Sequence, residues 1–380
     1  MFLSYGKQSI NNSDIKSVIK TLKSNYLTQG PEVEKFEAAL RKKFNSKYST
    51  VLINGSAAFL LISKILNWKK GDIIAVSPIT FLSQINAIEH CNAKPLFIDI
   101  SMLDYCMDPE KLELELKKDK SHKIKAAIIT DYGGQPAQWE KFYNLKKKYK
   151  IKLINDNCHA IGSSINNNYG YAAKYADFAT LSFHPVKAIT TGEGGAILTN
   201  NKKFDEKAKL LRSHGIIKDA KKFWSYKMID LGFNFRLPDI NCALGLSQLK
   251  RLTKFVSKRK RISQIYNKFF SDKKKFIIPN NIKKNENSFH LYPLLINFNQ
   301  VNLTKEKLLK IFLKYKIKLQ VHYIPVNSQY YYKRKYGLNI KKFKNSFEFY
   351  KKEISLPIFY DLTNKQIAYF KRICKRIFKI

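Results

Sequence analysis

The sequence contains few cysteines and no long apolar run. Its five cysteines are odd in number and widely separated, so we expect reduced thiols and neither a disulfide framework nor a zinc site. No apolar run approaches the roughly 20 residues that a membrane-spanning helix requires. The first residues, "MFLSYGKQSINNSD", lack the basic segment and apolar core of a secretory signal. We therefore expect a cytoplasmic protein with no membrane partner and no metal.

Acidic residues and arginine are also scarce. The chain has 70 basic and 29 acidic residues and a formal net charge of +41, yet only nine of the basic residues are arginine. Nucleic-acid-binding surfaces concentrate lysine and arginine on one face or tail, whereas these lysines are spread along the chain. The joint abundance of Lys, Asn and Ile is typical of a compositional bias of the genome. We expect no nucleic-acid partner; a basic nucleic-acid-binding or regulatory protein on a borrowed enzyme fold is the non-enzymatic alternative.

Hydrophobic periodicity predicts an α/β protein. The stretch "SDIKSVIKTLKS" predicts an amphipathic helix that begins at a capping Ser13 and carries its apolar residues, Ile15, Val18, Ile19 and Leu22, on one face. Short apolar runs of strand type then alternate with helical segments: "STVLIN", "DIIAVS", "KPLFIDI", "KAAIITDY", "KLIND", "FATLSF" and "GAILTN". Continuous apolar strands separated by helices indicate a mostly parallel sheet that is buried on both faces.

The character of the sequence changes near residue 250. A basic helical stretch is followed by "HLYPLLINF", "KIKLQVHYIPV" and "ISLPIF", which predict a smaller α/β unit. We therefore expect a large domain with an amino-terminal arm over residues 1–249 and a small carboxy-terminal domain over residues 250–380.

Polar residues follow several strands, where open parallel sheets bind their ligands. Gly55 and Ser56 open a helix whose amino terminus would favour an anion, although a tight connection explains them equally well. Asp156 ends a buried strand, where a cap is the simpler interpretation of a lone carboxylate. Lys187 lies beyond another strand, in "SFHPVKAITTGEGGA", beside hydroxyls and glycines. An anion site, a buried carboxylate and an amine that burial can tune to a nucleophile together match the phosphate, ring nitrogen and aldehyde of pyridoxal phosphate.

These residues resemble a known family, the DegT/DnrJ/StrS nucleotide-sugar aminotransferases. The motifs that carry the resemblance extend over nearly the whole chain: "LTQGPEVEKFE", "NGSAA", "SPITFLSQINAI", "GGQP", "NDNCHAIG", "SFHPVKAITTGEGGAILTN", "SHGI", "DLGFNFRLPDINCALGLSQLKRL", "VHYIPV" and "ISLPIF". The resemblance implies pyridoxal 5'-phosphate as cofactor and the type I fold of aspartate aminotransferase. Several of these motifs look most like the aminotransferases of pseudaminic acid biosynthesis.

The resemblance also implies roles for the matching residues. Lys187 would bind the cofactor covalently and later move a proton, and Asp156 would pair with the pyridine nitrogen. His159 would contact the phenolic oxygen, and Phe81 would stack on the ring. Ser56, Ala57 and Ser182 would contact the phosphate. Asn234 would reach the phosphate from the neighbouring subunit, so the resemblance implies a homodimer. Tyr5, His322 and Tyr323 would contact the substrate, with core packing as the alternative for the aromatics.

The implied reaction is a transamination in two halves. Glutamate would donate its amino group, which would pass to C4 of UDP-2-acetamido-2,6-dideoxy-beta-L-arabino-hexos-4-ulose. Another nucleotide-linked 4-keto-6-deoxy sugar stays open as the acceptor. A sugar 3-dehydratase of the same family carries histidine where this chain has Lys187, so the lysine argues against that activity.

Three positions depart from the family pattern. Asn155 stands where the family usually has Glu, Asp131 where many members have His, and Gly192 where Ala or Cys is common. None of the three removes a cofactor contact, but Asp131 is expected to alter the cleft locally.

Overall fold

The structure is a computed structural model that describes residues 2–280 and 282–380. Its helices are α1 Asn12–Leu22, α2 Pro31–Phe44, α3 Gly55–Ile65, α4 Ser83–His90, α5 Pro109–Lys118, α6 Trp139–Tyr149, α7 Tyr171–Tyr175, α8 Lys202–Arg212, α9 Asp239–Lys250, α10 Leu252–Phe270, α11 Phe298–Val301, α12 Lys305–Lys314, α13 Tyr330–Tyr336, α14 Lys344–Lys352 and α15 Asn364–Phe378. Single 3₁₀ turns occupy Tyr132–Gly134, Val326–Ser328 and Ile340–Lys342.

The strands form one large sheet and several small ones. They are β1 Leu3–Ser4, β2 Tyr48–Leu52, β3 Ile73–Val76, β4 Lys94–Phe97, β5 Ile124–Thr130, β6 Lys152–Asp156, β7 Ser164–Ile165, β8 Phe178–Ser182, β9 Gly195–Thr199, β10 Ile216–Lys218, β11 Tyr226–Met228, β12 Phe276–Ile277, β13 Asn285–Glu286, β14 Tyr292–Ile296, β15 Ile317–Lys318 and β16 Glu353–Leu356. The large sheet has the order β2-β9-β8-β6-β5-β3-β4. Strands β8, β6, β5, β3 and β4 run parallel, and β9 is antiparallel to both of its neighbours. The predicted mostly parallel sheet is confirmed.

Both faces of this sheet are buried, as the continuous apolar runs predict. Alternate residues of one strand enter different cores: Ala127 and Ile129 of β5 join one apolar cluster, whereas Ala126 and Ile128 join the other. The first cluster includes residues of α2, α5, α6, α7 and α9, and the second includes residues of α3, α4 and α8. Because side chains of a strand point alternately to opposite faces, the sheet is the middle layer of a three-layer arrangement.

A third core lies in the carboxy-terminal part of the chain. Strands β12, β14 and β16 form an antiparallel sheet, and the apolar residues of α10, α12 and α15 pack with it. Leu3 of the amino-terminal arm joins this core, because β1 pairs with β15. Helix α9 ends at Lys250 and α10 begins at Leu252, and the division into domains at residue 250 stays a prediction.

Helix α1 differs from its sequence prediction in its cap and in the setting of its apolar face. Asn11, not Ser13, is the N-cap: its side chain accepts hydrogen bonds from the backbone N–H groups of Ser13 and Asp14, and Asp14 bonds back to the N–H of Asn11. Asparagine two residues earlier caps the first free N–H groups of a helix that begins correspondingly earlier. The apolar stripe of α1 is exposed in the single chain, with Ile15 and Leu22 at 48% and 52%.

No helix in the described part of the chain has the length and apolar character needed to cross a membrane. The five cysteines are buried and free.

Candidate active site

The predicted site residues converge on one cavity of about 600 Å³. It lies at the carboxyl ends of the parallel strands, where β6 ends at Asp156 and β8 ends at Ser182. Nine of the eleven predicted residues line it: Tyr5, Ser56, Phe81, Asp156, His159, Ser182, Lys187, His322 and Tyr323. Ala57 and Asn234 do not. Asp156 and Ser182 meet there because parallel strands end at one edge, whereas Tyr5 comes from the amino-terminal arm and His322 and Tyr323 from the segment after β15.

Lys187 lies in the segment that connects β8 to the antiparallel β9. The two ends of this segment are joined, because the N–H of Phe183 donates to the carbonyl of Gly194 (2.8 Å). Within the segment the chain turns tightly, and the N–H of Lys187 donates to the carbonyl of His184 (2.9 Å). Gly192 has φ of 82°, in the left-handed region that favours glycine. Burial lowers the pKa of the Lys187 amine, and the neighbouring Cys158 and Asp156 act in the opposite direction. The amine is therefore closer to its neutral, nucleophilic form than an exposed lysine would be.

Asp156 is held by donors from neighbouring elements. It is 5% exposed, its Oδ2 accepts from Nε2 of Gln84 (2.6 Å), and its Oδ1 accepts from the backbone N–H of Cys158 (3.1 Å). Gln84 also donates to Oγ1 of Thr130 (2.8 Å), at the end of β5. These bonds fix the carboxylate where it faces the cavity, and they leave it able to accept from a cationic donor there.

The amino terminus of α3 forms another wall. Asn54 is its N-cap, and its side chain accepts from the N–H of Ala57 (2.8 Å), so that N–H is directed at the cap. Ser56 is exposed at the cavity, whereas Ala57 is buried. A Cβ on Gly55 would lie 3.2 Å from Cβ of Ser182, so the absence of a side chain lets the helix approach β8 closely. Free N–H groups and two hydroxyls at a helix amino terminus suit an anion such as phosphate.

His159 and Tyr323 form a hydrogen-bonded pair. Nδ1 of His159 accepts from the backbone N–H of Gly133 (3.3 Å), so the ring proton is assigned to Nε2, which lies 2.9 Å from the Tyr323 hydroxyl. Burial lowers the pKa of His159 well below its ordinary range, and Lys187 acts in the same direction. A neutral His159 therefore faces the cavity with its proton already engaged by Tyr323.

The other aromatic candidates lie at the open side. Phe81 is 54% exposed, and its ring centroid is 6.1 Å from that of Tyr323. Tyr5 of the amino-terminal arm lies against His322, with ring centroids 5.1 Å apart. The exposure of Phe81 leaves its ring face available to a flat ligand.

Two of the departures from the family pattern contact each other beneath the site. Asn155 Nδ2 donates to Oδ2 of Asp131 (3.0 Å), and Tyr171 and Trp139 also donate to this carboxylate (2.7 and 2.8 Å). Asp131 is fully buried and does not line the cavity. Asp131 therefore does not contact the cavity directly: its donors hold it in the support of the β5 and β6 ends, and its expected effect on the cleft stays a prediction.

Sequence reasoning missed several residues of the site. Gln84, Thr80 and Thr130 form a hydrogen-bonded group that reaches Asp156, and Glu193 and His290 also line the cavity. Thr130 carried a usable signal, because it ends a buried strand just as Asp156 does. The position of Gln84 on α4 depends on helix packing, which spacing alone does not give.

The charges that line the cavity are few. Among the described residues that form it, Lys187 is the single Lys or Arg, and Asp156 and Glu193 are carboxylates. Asn234 is exposed and lies beside Ser213, to which it is bridged, away from this cavity.

The chain resembles known proteins over its whole length. The model of the DegT/DnrJ/EryC1/StrS aminotransferase family matches residues 8–377. A UDP-4-amino-4,6-dideoxy-N-acetyl-beta-L-altrosamine transaminase of Campylobacter jejuni is 40% identical over 370 residues, which are 97% of this chain and 96% of that protein. The structure of Helicobacter pylori PseC, an aminotransferase involved in the biosynthesis of pseudoaminic acid, has a TM-score of 0.92 and 31% identity, with all of both chains covered. A putative sugar aminotransferase of Streptococcus pneumoniae in its PMP form has a TM-score of 0.89 and 25% identity, with 99% of this chain and 98% of that chain covered.

Proposed function

Because the chain belongs to the DegT/DnrJ/EryC1/StrS aminotransferase family, we propose that it is a sugar 4-aminotransferase that uses glutamate as the amino donor. The proposed acceptor is UDP-2-acetamido-2,6-dideoxy-beta-L-arabino-hexos-4-ulose, in the pathway to pseudaminic acid. The observation that carries the proposal is the cavity in which the buried amine of Lys187 shares a wall with Asp156 and the amino terminus of α3. The transaminase that is 40% identical over 97% of this chain supports the choice of acceptor.

The residues present fit pyridoxal phosphate. Asp156 has a carboxylate fixed by Gln84 and turned to the cavity, which suits a protonated ring nitrogen. The amino terminus of α3, with Ser56 and Ser182, suits the phosphate. The exposed face of Phe81 suits a stacked ring. When bound, the cofactor would supply an electron sink for the carbon that loses or gains a proton.

Lys187 is the residue proposed to do the chemistry. Its lowered pKa would let the amine hold the cofactor through its aldehyde and serve as the base and acid that moves a proton at the reacting carbon. His159 and Tyr323, bonded at 2.9 Å, keep a neutral hydrogen-bonded pair at one side of the cavity.

A homodimer is part of the proposal. A UDP substrate carries a diphosphate, but Lys187 is the single cation among the described residues lining the cavity. Asn234 is exposed. A nearby hairpin, formed by β10 and β11, is also exposed: the side chains at its tip, Phe223 and Trp224, are 92% and 67% accessible to solvent. Exposed apolar surface of this kind marks association sites. Asn234 would contact the cofactor phosphate of the second subunit.

The test is turnover of purified enzyme with glutamate and defined 4-keto sugars. We expect a 4-amino sugar from the L-arabino acceptor and none from Lys187→Ala, with the exposed Lys120→Ala as the matched control that keeps wild-type activity. Turnover only with a D-configured sugar would sink the pseudaminic assignment and leave another sugar aminotransferase. Tight, salt-sensitive DNA binding without any turnover would favour the basic nucleic-acid-binding alternative.

A further inference from the structure

A buried hydrogen-bonded chain lies behind His322 and is unexplained by the roles proposed above. Glu353 and Ser355 are two residues apart on β16, so their side chains leave the same face of the strand. The segment that carries His322 runs beside this strand, because the N–H of Ser355 donates to the carbonyl of Gln320 (2.8 Å). Glu353 and Ser355 are both fully buried.

The hydrogen bonds have one consistent direction when Glu353 is ionised. Its Oε2 accepts from the backbone N–H of His322 (2.9 Å), and its Oε1 accepts from the hydroxyl of Ser355 (2.5 Å). The Ser355 oxygen has then given up its only proton and can only accept at its 2.8 Å contact with Nδ1 of His322. The ring proton of His322 is therefore assigned to Nδ1, and Nε2 carries a lone pair.

Burial and three neighbouring groups act on the charge of Glu353. Burial raises its pKa to about 7, although the Ser355 hydroxyl, the nearby Lys305 and the backbone N–H of His322 act to lower it. At pH 8 the carboxylate is therefore mostly ionised, and the direction of the chain follows.

Nε2 of His322 is turned toward the site. His322 lines the cavity, and among the described residues no group makes a hydrogen bond to this nitrogen. Burial lowers the pKa of His322 to about 3, and Lys187 acts in the same direction, so the ring is neutral in ordinary buffers. A neutral ring with its proton on Nδ1 presents a hydrogen-bond acceptor, and no donor, to whatever enters.

We propose that Glu353 and Ser355 are positioning residues that fix His322 in the Nδ1–H form, so that its Nε2 accepts a hydrogen bond from a hydroxyl of the sugar. This inference rests on the proposed function. The carboxylates of glutamate have no proton to donate at neutral pH, and its ammonium group is the one that reacts, whereas the sugar brings hydroxyls that are free to donate. The contact therefore serves the sugar half of the reaction and not the glutamate half.

The first test reads the tautomer without cofactor or substrate. Nitrogen-15 NMR of labelled protein at pH 8 distinguishes a protonated ring nitrogen from a bare one, and the loss of signals in His322→Asn assigns them among the seven histidines. We expect a protonated Nδ1 and a bare Nε2 in the wild type, and a mixture of tautomers in Ser355→Ala. A protonated Nε2 in the wild type, or an unchanged pattern in Ser355→Ala, would overturn the proposal.

The second test separates the two half-reactions. Ser355→Ala should lower kcat/KM for the 4-keto sugar roughly 10-fold or more, because the Nδ1–H group of His322 loses its buried acceptor. The release of 2-oxoglutarate from glutamate should stay near the wild-type rate. Ser355→Thr keeps the hydroxyl and should restore most of the sugar activity and the wild-type tautomer.

The matched control is Ser263→Ala, on α10. Ser263 is also buried, and its hydroxyl donates to the carbonyl of Lys260 (2.8 Å), but it does not line the cavity. Equal loss in both half-reactions, or a loss in Ser355→Ala no larger than in Ser263→Ala, contradicts a positioning role. A wild type that converts glutamate but no 4-keto sugar removes the proposed function, and the hydroxyl contact with it, whatever the tautomer.

Discussion

Replacing Asp156 by asparagine should abolish most activity while leaving the protein folded. The substitution keeps the shape of the side chain and removes its charge. Gln84 is the partner that decides the structural cost: its Nε2 donates to Oδ2 of Asp156, and its own Oε1 is buried without a partner among the described residues. If the Gln84 amide rotates by half a turn, Oε1 accepts from the new amide and from the Thr130 hydroxyl. Because the Gln84 NH₂ group then takes the buried place in which Oε1 had no partner, we expect a loss of about 1–3 kcal/mol in the free energy of unfolding.

The chemical cost of the same substitution is much larger. A protonated ring nitrogen would lose its buried counter-charge, and breaking such a pair costs about 3–5 kcal/mol. If the whole cost appears in the transition state, kcat/KM falls roughly 10²- to 10⁴-fold.

The assay combines kcat/KM for glutamate and sugar with urea unfolding of the same preparations. Asp272→Asn, at an exposed position, is the matched control for the loss of one negative charge and should resemble the wild type in both measurements. A counter-charge role for Asp156 is excluded if Asp156→Asn retains more than a tenth of the activity, or if it loses activity only because it unfolds.

Three further outcomes are expected, two near the site and one at the exposed hairpin. Asp131→Asn should lower the free energy of unfolding by about 2–4 kcal/mol. Both oxygens of Asp131 accept from buried donors, so the new NH₂ group faces donors in either orientation of the amide. Urea unfolding measures the loss, and a loss under about 1 kcal/mol would contradict this prediction. Acidification should destabilise the wild type more than His322→Asn: the folded pKa of His322 is about 3 and its unfolded pKa about 6.5, so the unfolded chain binds a proton that the native one excludes. Between pH 7 and pH 5 the proton uptake lowers the free energy of unfolding of the wild type by about 2 kcal/mol. Its urea midpoint should therefore shift more than that of His322→Asn, and equal shifts in the two proteins would refute this prediction. Trp224→Ser should weaken the proposed dimer, with light scattering giving a smaller mass than the wild type at equal concentration; an unchanged mass would exclude the hairpin from the interface.

The residues that end strands were predictable from the sequence. Asp156 ends β6, Ser182 ends β8 and Lys187 follows directly, so the run of apolar residues before each one already places it at the ligand-binding edge of the sheet. The alternation of strands and helices likewise predicts the parallel order of the large sheet. These features depend on local patterning, which a single sequence carries.

Residues that act through packing were not predictable in the same way. Gln84 reaches Asp156 from a helix, and Glu353 reaches His322 across 31 residues of chain. Nothing in the spacing of these residues distinguishes them from ordinary surface or core positions. The misassigned cap of α1 has a local cause, because Asn11 and Ser13 are both good N-caps and the Asp14 side chain completes a capping box only with Asn11.

The exposed face of α1 has a different cause. Periodicity identifies an apolar face but does not say what covers it, and Ile15 and Leu22 have no cover within the described single chain. A second subunit, as in the proposed homodimer, would provide one.

The most direct test of the account is the visible absorption of the purified protein with pyridoxal phosphate, before and after glutamate, compared with Lys187→Ala and with Lys120→Ala. We expect a visible band in the wild type and in Lys120→Ala that bleaches when glutamate is added, and no such band in Lys187→Ala. A wild type that forms no band, or a Lys187→Ala variant that forms and bleaches the same band, would contradict the central claim that Lys187 carries the aminotransfer.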